Sequence, residues 1–195
     1  MEKEVRYLQL EYREIPDNDR HVEGYALVFN SESRDLGGFV EIIDPTALKG
    51  VLEVSDVICF LNHNEDKGVL ARSTNMKGSL KLEVDATGLK YSFDAPNTAL
   101  GDELLEGLKR GDIRSSSFAF KVEKDQWIKK ENRTYVRKIL KFKELIDVSP
   151  VYKPAYEATD VAKRSLNDFQ ESDDKHIEEV ISFYDDLKKQ FEFIN

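Results

Sequence analysis

Ser115-Ser116-Ser117-Phe118-Ala119-Phe120-Lys121-Val122 is the stretch that sets the fold. Phe118, Phe120 and Val122 recur at every second position, the period of a strand with one face in a core. Successive strand side chains point to opposite faces, so Ser117 and Ala119 face away from the aromatic residues. The same period recurs along the first two-thirds of the chain, in Leu8, Leu10 and Tyr12, in Tyr25, Leu27 and Phe29, and in Leu80, Leu82 and Val84. It returns in Leu89, Tyr91 and Phe93, after Asp85-Ala86-Thr87-Gly88, whose composition predicts the turn of a hairpin. Val57 to Leu61 is an unbroken apolar run, which predicts a fully buried strand. Glu131-Asn132-Arg133 predicts another turn, between Trp127-Ile128 and a long strand from Tyr135 towards Val151.

Helical signals are fewer. Leu100, Leu104, Leu105 and Leu108 share a face over Thr98 to Arg110, with Asn97 or Thr98 to cap the start and Gly111 to stop the end. A shorter helix is expected from Asp44-Pro45, where proline suits a first turn. Many strands and few helices predict an α+β, mainly β fold: a closed or nearly closed antiparallel β-barrel flanked by helices. The boundaries follow from composition: a barrel domain over residues 1–160, a polar linker over 161–171, and a C-terminal amphipathic helix over 172–195. In that helix Ile177, Val180, Ile181, Tyr184, Leu187 and Phe191 form one stripe, and Ser172 is the expected cap.

Composition narrows the function. The chain has 195 residues and a net charge of -9, which argues against a nonspecific nucleic-acid binder, since such proteins carry a basic field. No stretch approaches the ~20 apolar residues of a membrane span, and Met1-Glu2-Lys3-Glu4 has no apolar signal core behind it. The one cysteine, Cys59, excludes an internal disulfide and a cysteine-rich zinc site. A cytosolic, soluble chain without a membrane partner is expected.

Three residues carry a possible chemistry. A serine hydroxyl needs a neighbouring base to become a nucleophile, and histidine suits that role near neutral pH. Of His21, His63 and His176, only His63 follows a buried apolar run that would fix its position. Asp147 obeys the same parity as Ser117: with Ile146 and Val148 facing the core, Asp147 and Ser149 face away, where a carboxylate can orient an imidazole. Parity alone leaves the plain readings open: a strand serine, a turn histidine and a turn-starting aspartate. Cys59, inside an apolar run, is the weaker nucleophile, since buried thiols are inert.

Taken together and in order, several blocks resemble the tailed-phage prohead maturation protease family, whose barrel is related to that of herpesvirus assemblin. The blocks are Val22-Glu23-Gly24-Tyr25-Ala26-Leu27-Val28-Phe29-Asn30 and Leu36-Gly37-Gly38-Phe39-Val40-Glu41. Leu61-Asn62-His63-Asn64 follows with Val69-Leu70-Ala71-Arg72, then Gly111-Asp112-Ile113 leading to Ser117-Phe118-Ala119-Phe120. Asp147-Val148-Ser149-Pro150-Val151 and Pro154-Ala155-Tyr156 complete the series. The resemblance implies a serine endopeptidase with Ser117 as nucleophile, rather than Ser115 or Ser116, His63 as base, and Asp147 where the family often has glutamate. Neither His21 nor His176 stands at a block matching the second histidine of assemblin-type relatives. The implied substrate is the major capsid protein's scaffolding segment or a scaffold protein, with self-cleavage, inside the immature prohead in the host cytoplasm. Portal protein and a homodimer or higher oligomer are further implied partners; no metal or organic cofactor is implied. An oxyanion hole is needed as well; the sequence does not say which backbone amides build it, and the loop holding Arg72 is one candidate. A catalytically inactive scaffold or assembly module on the same fold is the alternative.

Overall fold

The computed structural model describes residues 2–9, 20–130, 134–152 and 160–192. Its elements run β1 (Glu4–Gln9), β2 (His21–Val28), β3 (Phe39–Ile43), β4 (Asp56–Cys59), β5 (Ala71–Thr74), β6 (Lys77–Gly78), β7 (Lys81–Val84) and β8 (Gly88–Asp94). Helix α1 (Ala99–Lys109), the long strands β9 (Ser115–Lys129) and β10 (Tyr135–Val151), and helix α2 (Asp160–Glu192) follow. Leu10 and Tyr12, the turn at Glu131-Asn132-Arg133 and the block Pro154-Ala155-Tyr156 lie outside the described residues.

β10 organises the larger sheet. Along one side it pairs antiparallel with β9, from Tyr135 opposite Lys129 to Val151 opposite Ser115. Along the other it meets two parallel partners in turn, β3 at Tyr135 to Ile139 and β4 where Asp147 faces Ile58. β1 pairs antiparallel with the free side of β9, and β5 and β6 extend the sheet beyond β4. A second sheet holds β2, β8 and β7. Its β7–β8 hairpin is turned by Asp85, whose carboxylate accepts from the Thr87 and Gly88 amides at 2.7 and 2.9 Å.

The two sheets share one core. Leu27, Leu89, Tyr91 and Phe93 from the smaller sheet cluster with Phe118, Phe120, Phe142, Leu145 and Val148 from the larger. Phe120 and Phe142 stack at a 4.5 Å centroid distance. The expected barrel closure is corrected here: both sheets are open. β1 and the two-residue β6 end one sheet, β2 and β7 end the other, and no ladder joins them among the described residues. Closure needs a hydrogen-bonded seam; here side-chain packing between the sheets takes its place. Four register shifts along β9 and β10 bend the long pair without bringing the edges together.

A buried ionic network stands where strand alternation leads one to expect apolar side chains. Arg6 of β1 bonds Glu41 of β3 at 2.8 Å and Glu4 at 2.7 Å. Arg137 of β10 bonds Glu4 at 2.7 Å, Glu41 at 3.3 Å and Asp125 of β9 at 2.6 Å. Charges so deeply buried persist only when paired, and this set ties β1, β3, β9 and β10 together.

α1 follows its sequence signals. Thr98 caps the Gly101 amide, Leu104 is fully buried, and Gly111 leaves the helix at φ 72°. The helix expected from Asp44 does not form. Turns closed by i to i+3 backbone bonds run from Asp44 through Val51, and Gly50 at φ 73° lies off the right-handed helical path before a short 3₁₀ turn at Leu52–Val54. The chain divides into two compact units, residues 1–157 and 158–195. In the second, α2 is one continuous helix from Asp160, so the linker expected over 161–171 is helical and Ser172 is not a cap. The segment is polar, but it holds no glycine or proline to interrupt a helix. No described helix is long and apolar enough to cross a membrane.

Candidate active site

The site sits on the face of the larger sheet that points away from the core. Ser117 is the third residue of β9, with Tyr7 of β1 directly opposite on one side and Ser149 of β10 on the other. Its neighbours Ser116 and Phe118 point into the core, as strand parity requires. Ser116 is held there by the Tyr91 hydroxyl at 2.7 Å, so it is unavailable as a nucleophile.

Asp147 reaches the same face by an irregularity. Leu145 faces Phe120 and Asp147 faces Ala119, so Ile146 is an extra, bulged residue. Ile146 is only half-buried and lies outside the core cluster, contrary to the expected alternation; Leu145 takes the core position instead. Asp147 and Ser149 still point outward, as expected.

His63 is delivered by the end of β4. The chain leaves the sheet at Cys59, buries Phe60 and Leu61, then turns through Asn62 and His63, both at φ 56°. Asparagine and histidine are among the side chains that tolerate this left-handed region. Two bonds pin the turn to β10: the Phe60 amide donates to Ser149 Oγ at 3.0 Å, and the Asn62 amide to the Pro150 carbonyl at 2.9 Å. Asn64 then caps the Asp66 amide and starts a 3₁₀ turn at Glu65–Lys67.

The three side chains that sequence singled out converge. His63 Nε2 lies 2.5 Å from Ser117 Oγ, and His63 Nδ1 lies 2.9 Å from Asp147 Oδ1. The second contact is close in distance but poor in direction: Nδ1 is buried and has no well-aligned hydrogen-bond partner. Asp147 Oδ1 also accepts the Ser149 hydroxyl at 2.7 Å, so Ser149 links the carboxylate to the Phe60 amide just before the histidine. Ser117 Oγ is also 2.9 Å from the Arg6 carbonyl. One hydroxyl proton serves either Arg6 or Nε2. With the imidazole proton on Nδ1, beside Asp147, Nε2 is the acceptor that a general base needs.

Other candidates fall away. Cys59 is fully buried; burial pushes its thiol well up, and the nearby Asp147 charge adds to this. His21 pairs with Asp94 on the surface at 3.0 Å. His176 lies on α2, in the second unit. Arg72 lies in β5 rather than a loop, its amide donates to Ser79 Oγ at 3.2 Å, and its guanidinium grips Asp56. That amide is therefore committed, which leaves Arg72 itself out as an oxyanion donor.

Tyr7 was not singled out by the sequence. Its ring meets the His63 ring edge-on, with centroids 6.1 Å apart and an interplanar angle of 84°. Burial pushes its phenol up; a hydrogen bond with Ser117 opposes this, and the Asp147 charge adds to it. The signal lay in the period-two positions Val5, Tyr7 and Gln9, which face Ala119, Ser117 and Ser115 of β9, but it needs the β1–β9 register to be read.

A family model described as caudovirus prohead serine protease matches residues 8–173. The chain belongs to that family. As a member of the prohead protease family, it is a serine protease. A solved structure of the bacteriophage T4 capsid assembly protease aligns with a TM-score of 0.47 at 12% identity, covering 78% of this chain and 100% of that one. None of the curated proteins matches the chain.

Proposed function

We propose that this prohead protease is an endopeptidase in which Ser117 is the nucleophile, His63 the general base and Asp147 the group that orients it. Its substrate is the scaffolding segment of the capsid protein or a scaffold protein, together with its own chain, cut inside the immature shell. The observation that carries the reading is the 2.5 Å approach of His63 Nε2 to Ser117 Oγ. His63 takes the hydroxyl proton as Oγ bonds the peptide carbonyl carbon, and Asp147 stabilises the imidazolium. The C–N bond then breaks, and the leaving amine departs with the proton from His63. Water, deprotonated by His63, releases the acyl group and restores Ser117.

One observation favours a second reading, an assembly module without catalysis: Ser117 is wholly buried in the free chain. A serine-directed fluorophosphonate separates the two. The enzyme reading expects one adduct on Ser117, lost on denaturation beforehand. A chain that binds capsid protein yet takes no adduct would establish the assembly role instead.

A further inference from the structure

We infer that Tyr7 is a positioning residue that holds the His63 imidazole in its reactive plane, an inference that rests on Ser117 and His63 acting as nucleophile and base. The carboxylate that should orient His63 fixes its distance but not its plane. Asp147 Oδ1 stands 2.9 Å from Nδ1, yet off the direction of a good N–H···O bond, and it also holds the Ser149 hydroxyl. The Nε2 contact with Ser117 is the one the reaction consumes, so only the misaligned Asp147 contact is left to hold the ring against rotation about χ2, a broad, soft torsion. A second restraint is needed, and the structure offers one. Tyr7 meets the imidazole at 84°, the edge-to-face arrangement that ring quadrupoles favour.

The placement of Tyr7 is not accidental to the loop. Tyr7 is carried on β1 directly across from Ser117, so one strand pair sets the tyrosine and the nucleophile in register. β1 is in turn anchored from its other face, where the buried Arg6 is bonded to Glu41 and Glu4. The tyrosine ring therefore stands on a fixed strand, while His63 stands on a left-handed turn outside the sheet. The turn carrying His63 is pinned to β10 as well, so what the tyrosine ring sets is the imidazole's side-chain torsion. The effect belongs to the ring, through its edge contact, and the hydroxyl's bond to Ser117 is a separate interaction that Tyr7→Phe removes alone.

The test separates orientation from access by measuring kinact and KI for a fluorophosphonate on the full chain. In that reaction Ser117 Oγ bonds phosphorus, fluoride leaves, and the hydroxyl proton passes to His63. Tyr7→Leu is expected to lower kinact about 10-fold or more, since a misplacement near 1 Å can cost about 100-fold. Tyr7→Phe, which keeps the ring, is expected to stay within about 2-fold of the parent. Melting temperatures are expected to match, because Tyr7 is half-buried on an edge strand; Tyr7→Ile, a strand former, serves if Tyr7→Leu does not fold. An unchanged or raised kinact in Tyr7→Leu overturns the inference and marks Tyr7 as a cover over Ser117. A Tyr7→Phe variant as slow as Tyr7→Leu overturns it in favour of the hydroxyl. Absence of any Ser117 adduct on the parent chain sinks the nucleophile assignment itself, and this inference with it.

Discussion

Asp147 has a short side chain, and the structure shows how it comes within 2.9 Å of His63 Nδ1. The bulge at Ile146 and the Ser149 link to the Phe60 amide bring carboxylate and histidine turn together. Asp147→Asn keeps the shape but offers an amide where the imidazole needs an anion, and so favours the wrong tautomer. Cleavage is expected to fall on the order of 10³-fold or more with little change in melting temperature, measured as turnover of a capsid precursor; a fall under about 3-fold would remove Asp147 from the site. At this scale the sequence was largely legible. Alternation set Ser117 and Asp147 on the outward face, and the apolar run before it made His63 the fixed histidine. Tyr7 and Ser149 escaped because their importance depends on cross-strand register, which no single stretch of sequence contains.

Strands β1, β3, β9 and β10 are joined by charges as well as by ladders. Arg137 is almost wholly buried between Glu4, Glu41 and Asp125, and these carboxylates hold its guanidinium protonated, against the opposing effect of burial. Arg137→Met removes the cation and leaves carboxylates buried without compensation. A loss of about 3–5 kcal/mol is expected, read from urea denaturation; a loss under about 1 kcal/mol would mean that water already reaches the network. Nothing in the sequence announced this. Charged strand residues are normally read as solvent-facing, and Glu4, Arg6, Glu41 and Arg137 break that rule only because they meet one another. The hairpin at Asp85 and the capped helix α1 were legible for the opposite reason: their signals are local, a turn carboxylate and a threonine cap a few residues from the amides they serve.

Across the whole molecule, the sequence conveyed which faces are buried but not which edges meet. Period-two alternation is the same in a barrel and in two open sheets, so the expected closure had no basis in the pattern itself. The continuous helix α2 was missed in part because polarity was taken as a sign of a linker, whereas helix continuity depends on the absence of breakers. The core cluster runs from Val22 to Val148, entirely within the first unit, and the three site residues are carried on its sheet or on the turn pinned to it. The central claim is that this scaffold brings Ser117, His63 and Asp147 together for peptide cleavage. Co-expression of Ser117→Ala with a capsid precursor tests it most directly. The expected result is a folded protein and an uncut precursor, while the parent chain and Ser116→Ala both cut it; processing that continues unchanged in Ser117→Ala would contradict the account.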